Sequence, residues 1–134
     1  MLASIDLETT GINPQKDQVL EIAVVVDDLS LFGDKEPLSN LKTFHCYVKH
    51  DKICGNPNAL IMNQRILEIL AGDRDPKGVS IKTPSEALKS LADFLSQWEK
   101  LTPTGKNVAG FDLPFLYQLC EDNPELGGNC FYRE

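Results

Sequence analysis

The spacing of apolar residues changes period along the chain, and each change marks an element. Leu2-Ala3-Ser4-Ile5-Asp6-Leu7-Glu8 reads as a short strand that stops at the turn formers Thr9-Thr10-Gly11-Ile12-Asn13-Pro14. Val19 to Val26 (VLEIAVVV) is a nearly continuous β-branched run, the pattern of a strand buried on both faces. The stretch from Asp27 to Asn40, with Gly33 and Pro37, reads as loop, and Thr43 to Val48 as a third strand. Short polar connections between the three predict an antiparallel meander.

A helical period takes over further on. Asn58 to Leu70 has Leu60, Ile61, Ile66, Leu67 and Leu70 in a helix-like period, after Pro57. A polar, glycine-containing stretch follows from Gly72 to Lys82. Thr83-Pro84-Ser85-Glu86 is a helix start: Thr83 caps, Pro84 is preset for the first turn, and Glu86 completes a capping box. Leu88, Leu91, Ala92, Leu95 and Trp98 then form an apolar face up to about Lys100. Lys106 to Ala109 reads as a short strand, and Pro114 to Cys120 as a helix entered near Asp112. The series predicts an α/β fold on a mixed sheet, a three-strand antiparallel meander plus a parallel strand, flanked by helices.

Composition narrows the function classes. At 134 residues, 42% hydrophobic and 25% charged, the chain fits one soluble domain over residues 1–134 and excludes collagen, coiled coil and wholesale disorder. No apolar run is long enough to span a membrane. Met1 leads into a strand carrying Asp6 and Glu8, which is not a signal peptide, so a cytoplasmic location is expected. Thirteen basic residues against 20 acidic ones leave a net charge of −7, which counts against simple binding of phosphate backbones. It does not count against a site where metal ions cancel carboxylates. Cys46, Cys54, Cys120 and Cys130 form no C-x-x-C, so unpaired thiols are expected rather than a zinc ribbon.

The acids supply the candidate chemistry. Three acid-x-acid pairs occur, Asp6/Glu8, Asp34/Glu36 and Asp73/Asp75, about the number expected by chance. Only the first lies in an apolar strand, where unpaired charge is costly. The period of two sends Asp6 and Glu8 to one face with Cα atoms about 6.7 Å apart, so both carboxylates can close on one ion. Oxygen-only ligands suit Mg²⁺ or Mn²⁺ rather than zinc. A third acid, Asp112, lies far downstream where a short strand hands over to a helix.

Asp6-x-Glu8-Thr9-Thr10-Gly11, followed by Gly105-x-Asn107-x-x-x-Phe111-Asp112-x-x-Phe115-Leu116, resembles the first two motifs of the DEDD 3′→5′ exonucleases. That superfamily includes ribonuclease T, oligoribonuclease and the proofreading subunit of bacterial DNA polymerase III. The resemblance covers essentially the whole chain. It implies a ribonuclease H-like fold and two Mg²⁺ or Mn²⁺ ions beside the scissile phosphate of a single-stranded DNA or RNA 3′ end. Asp6 would bridge the ions, Glu8 would bind one, and Asp112 would complete the site. Thr9, Thr10 and the backbone at Gly11 would lie beside the terminal nucleotide, with Asn107 near the substrate or the first-strand loop.

The family's third motif, His-x₄-Asp or Tyr-x₃-Asp, supplies a fourth acid and, in the first type, a general base. It belongs some fifty residues beyond Asp112, where only 22 residues follow. Neither His45 nor His50 fits, and Tyr47-x₃-Asp51 precedes the second motif. The C-terminal part of the domain is therefore expected to be missing, and Cys130 to Glu134 resembles the strand after the second-motif helix. Such a chain would be nearly inactive, with a sheet face around Val24 and Val26 left uncovered and open to self-association. A non-catalytic interaction domain with the same fold is the alternative. An Asp-nucleophile phosphatase is disfavoured by Glu8 where Asp is needed, and by Lys77 where the G-D-x-x-x-D pattern needs its last Asp.

Overall fold

A computed structural model describes residues 1–27 and 41–126. Most of the expected loop between the second and third strands, and the Cys130–Glu134 strand, lie outside the described residues. Strands β1 (Leu2–Thr9), β2 (Val19–Asp27) and β3 (Lys42–Val48) pair antiparallel, as the hydrophobic pattern predicts. Two three-residue strands extend the sheet in parallel: β4 (Ser80–Lys82) on β3 and β5 (Thr102–Thr104) on β1. The order is β4-β3-β2-β1-β5. The mixed sheet and its flanking helices match the expected α/β architecture.

Several expectations need correction. The parallel strand falls at Thr102–Thr104 rather than Lys106–Ala109. It ends where Gly105 crosses β1: a Cβ there would stand 2.7 Å from the Ile5 carbonyl oxygen, so the crossing requires glycine. Residues Val108–Asp112 form a π-helical turn that runs into the last helix. β4 lies in a stretch that reads as polar loop, being too short and too exposed to show a period of two. The expected single helix over 58–70 is two, α1 (Pro57–Met62) and α2 (Gln64–Ala71). Asn63 breaks them, and its side-chain amide donates to the Thr9 carbonyl at 3.0 Å, fixing the break to the end of β1. Helix α3 (Pro84–Leu95) starts at the expected capping box, where the Glu86 amide donates to Thr83 Oγ1 and the Thr83 hydroxyl to Glu86 Oε1. It stops at Leu95, short of Lys100, yet Trp98 still packs edge-on against Phe94. Helix α4 spans Leu113–Asp122.

The main core lies between one sheet face and the α3–α4 layer. Ile5 and Leu7 of β1 and Ile22 of β2 meet Leu88, Leu91, Phe115 and Leu116. A smaller core on the opposite face joins Leu20 and Tyr47 to Ile66, Ile69 and Leu70 of α2. β2 is not buried on both faces throughout; Glu21, Ala23 and Val25 are only half-buried. The alternation misleads because the register slips: Glu8 faces Glu21 but Thr9 faces Val19, leaving Leu20 as the extra residue of a bulge. Val24 and Val26, expected to be uncovered, are 1% and 5% exposed in the main core. These two residues therefore give no reason for self-association. Cys46 is buried, which pushes its thiol up to about 11, whereas Cys54 is exposed. Among the described residues no helix is long and apolar enough to cross a membrane.

Candidate active site

The site begins with the two faces of β1. Ala3, Ile5 and Leu7 point into the main core, which leaves Asp6 exposed and Glu8 half-buried on the opposite face. Because β5 pairs only with Leu2–Ser4, the edge of β1 beyond Ser4 has no neighbouring strand on that side among the described residues. Asp112 fills the gap. It closes the π-helical turn, is 3% exposed, and its Oδ1 accepts the Leu7 backbone N–H at 3.0 Å. The strand residue between Asp6 and Glu8 is thus tied directly to the third acid, across 105 positions of sequence.

The charges at this junction interact. Glu8 titrates above its ordinary value, chiefly because burial disfavours its charged form, with repulsion from Asp6, Glu21 and Asp112 adding to it. Asp112 is also raised, by burial first; the Leu7 amide opposes the shift and Asp6 reinforces it. As the side chains stand, no three His, Cys, Asp or Glu residues among those described are gathered into a metal-holding group. Asp6 and Glu8 would have to turn toward Asp112 to share an ion.

The remaining motif residues build the frame. The Thr9 hydroxyl donates to the Gly11 carbonyl at 2.6 Å. Thr10 is fully buried; its hydroxyl donates to the Cys54 carbonyl and accepts from the Gln18 amide. At Gly11 a Cβ would collide with the Asp17 carboxylate, whose Oδ2 accepts the Asn13 amide. Both threonine hydroxyls and the glycine thus fold the turn behind the acids. Asn107 is exposed in the left-handed region at φ 56°, and its carbonyl accepts the Gly110 and Phe111 amides that start the π-helical turn. Tyr47 is buried in the second core, while Asp51 is exposed.

Sequence reasoning missed Glu21 and His45. Glu21 lies directly across from Glu8 on the same face, and His45 Nε2 sits 2.8 Å from its Oε2. The signal was available, since Glu21 is an acid inside an apolar strand, the criterion that singles out Asp6 and Glu8. Two apolar side chains also stand out: Ile12, just after the Thr9–Gly11 turn, is 86% exposed, and Met62, beside Asn63, is 84% exposed. Asn63 and Asn56 both donate to the Thr9–Thr10 backbone, so α1 docks on this turn.

No family model matches the chain. The oligoribonuclease of Vibrio vulnificus (strain CMCP6) is 29% identical over 133 residues, covering 96% of this chain and 66% of that protein. The oligoribonuclease of Klebsiella pneumoniae is 30% identical over 136 residues, with the same coverage of 96% and 66%. The chain thus spans just under two thirds of the length of these relatives. Among solved structures, a product-bound exonuclease I superposes with a TM-score of 0.68 at 18% identity, over 91% of this chain and 25% of that one. Escherichia coli exonuclease I in complex with a dT13 oligonucleotide superposes with a TM-score of 0.67 at 20% identity, over 91% and 24%. The fold is therefore that of the exonucleases, as the mixed sheet suggests.

Proposed function

Because the chain belongs to the DEDD superfamily of 3′→5′ exonucleases, we propose that it carries the catalytic acids of an enzyme that shortens single-stranded nucleic acid from its 3′ end. Asp6, Glu8 and Asp112 would hold Mg²⁺ or Mn²⁺. The observation that carries this reading is the hydrogen bond from the Leu7 amide to Asp112, which fixes the third acid beside the strand bearing the other two.

The donor set fits hard divalent ions. It consists of carboxylate oxygens, and two of the three acids titrate high because their negative charges are buried and crowded. Two ions bound there would activate the attacking water and stabilise the leaving 3′ oxygen. Asp112 is the fixed point of the set, held by a backbone amide, and Asp6 and Glu8 are the adaptable partners on the open face. The Thr9–Gly11 turn sets the wall beside them. Ile12 and Met62 give that wall an apolar lip for the unstacked bases of a single strand. The dT13 complex of the structural neighbour exonuclease I supports a single-stranded substrate.

The test is a 5′-labelled single-stranded oligonucleotide incubated in Mn²⁺ with a full-length protein that carries these residues, since residues 1–134 alone are expected to be nearly inactive. The expected result is stepwise shortening from the 3′ end, abolished by EDTA and by Asp6→Ala with the circular dichroism unchanged. Undiminished turnover by Asp6→Ala would overturn the mechanism. A protein that binds the strand in Mn²⁺ without shortening it would be a non-catalytic interaction domain instead.

A further inference from the structure

The open sheet face does not end at the acids. Register carries it from Glu8 on β1 to Glu21 on β2, whose partner on β3, Tyr47, is covered by the second core. His45 on the same strand is ion-paired to Glu21 and packs its ring 5.5 Å from that of Tyr47. Beyond this aromatic pair the face opens into a cavity of about 220 Å³, walled by Arg65 of α2 and by Lys77 in the loop before β4. Ile69 and Val79 form its apolar floor.

The charge at this cavity runs against that of the chain. Three of the chain's thirteen Lys and Arg residues line it, in a protein of net charge −7. Arg74 is engaged by Glu68 at 2.7 Å, so it is largely neutralised. Arg65 and Lys77 have no carboxylate partner among the described residues; the Arg65 guanidinium donates only a long 3.4 Å bond to the Tyr47 hydroxyl. The lining acid is Asp75, whose Oδ1 accepts the Lys77 backbone N–H and holds that residue at its left-handed φ of 52°. Two unpaired cations against one acid leave the cavity net positive. At this volume it is smaller than sites that enclose whole cofactors, and suits one anionic group with a flat neighbour against the exposed His45 ring. Arg and Lys together with an aromatic wall are the usual means of holding the backbone and base of a single strand.

We propose that this cavity is a subsite for a backbone phosphate of the same nucleic-acid strand whose 3′ end lies at Asp6, Glu8 and Asp112. The inference rests on the exonuclease reading for the position of the 3′ end, but the cavity's own affinity does not. β3 lies two strand spacings, about 10 Å, from β1. A stacked strand advancing about 3.4 Å per nucleotide would cover that distance in about three residues. The subsite would therefore engage oligonucleotides of that length or longer, and miss dinucleotides.

The experiment has two arms, using dT5 and dT2. In EDTA, calorimetric titration reads the cavity alone. The double variant Arg65→Gln/Lys77→Gln should bind dT5 about tenfold more weakly, with the salt dependence of log K shallower by about 0.7 for each phosphate left without its cation. Arg65→Lys should keep most of the affinity. In Mn²⁺, the double variant made in the full-length protein should lose about tenfold in kcat/KM on dT5 through KM, and nothing on dT2. Equal binding of dT5 by wild type and double variant overturns the subsite. In Mn²⁺, a dT2 effect on kcat/KM as large as the dT5 effect overturns the strand path, because dT2 seated at the acids cannot reach the cavity. If neither substrate turns over in Mn²⁺ while the EDTA arm shows the weaker dT5 binding, the exonuclease reading fails and the phosphate site stands.

Discussion

At the β1 end of the open sheet face lie Asp6 and Glu8, on the strand whose Leu7 amide holds Asp112, with no Lys or Arg paired to any of the three among the described residues. At the β3 end, Arg65 and Lys77 stand without an ion-paired carboxylate among the described residues. Between them lies Glu21, tied to His45, the one carboxylate on the face with a basic partner among the described residues. The acids are held by main-chain structure: Asp112 by the Leu7 amide, Asp6 and Glu8 by strand alternation and by the bulge at Leu20 that ends it. The cations are held by a helix and a loop that meet only in the folded chain. Like charges left together and unlike charges kept apart cost stability, and their separation along one face is what a polyanion with metal ions at its end would neutralise.

Removing the acid end should have the largest effect. Loss of one carboxylate from an ion pair of this type removes several kcal/mol of transition-state stabilisation, so Asp6→Ala should lower Mn²⁺-dependent turnover by about a thousandfold. Asp112 separates charge from structure. Asp112→Asn keeps an acceptor for Leu7 and should abolish activity with little change in folding. Asp112→Ala leaves a buried amide without a partner and should cost about 1–3 kcal/mol in urea denaturation. Equal stability of the two variants would show that the Leu7 bond does not matter.

Acidity and metal should act alike on this end. Glu8 and Asp112 both titrate above their ordinary values, so the folded state disfavours their charged forms. Their contribution to stability is fully present below the unfolded carboxylate range, near pH 4, and is lost as pH rises through the folded values. Without divalent ions, acidification from pH 7 to 5 should therefore raise these groups' share of Tm, and added Mg²⁺ should raise Tm more at pH 7 than at pH 5. A metal shift that does not depend on pH would contradict the coupling. The smallest effect is at the basic end: Glu68→Gln frees Arg74 beside the cavity and should tighten dT5 binding a few-fold in EDTA.

The parts of this picture legible in the sequence are those set by local periodicity or by a fixed motif. The alternation in β1 gives the shared face of Asp6 and Glu8, the Thr83–Glu86 box gives the start of α3, and the second motif gives Asp112. The meander follows from three apolar runs with polar connections. What escaped has a different origin. The Leu20 bulge shifts β2 by one residue, and nothing in VLEIAVVV signals it. β4 and β5 are three residues long and exist only because β3 and β1 offer them edges. The break at Asn63 is invisible because the apolar period continues across it. Arg65 and Lys77 are ordinary surface residues until the fold brings α2 and the β4 loop beside Tyr47.

The central claim, that Asp6, Glu8 and Asp112 form one divalent-ion site, is tested most directly by titrating Mn²⁺ into ¹⁵N-labelled protein and following paramagnetic broadening of backbone amides. The expected result is that Asp6, Leu7, Glu8 and Asp112 broaden first and together, and that Asp112→Asn abolishes the effect with the remaining spectrum unchanged. Broadening centred elsewhere on the sheet, or the same broadening in Asp112→Asn, would contradict it.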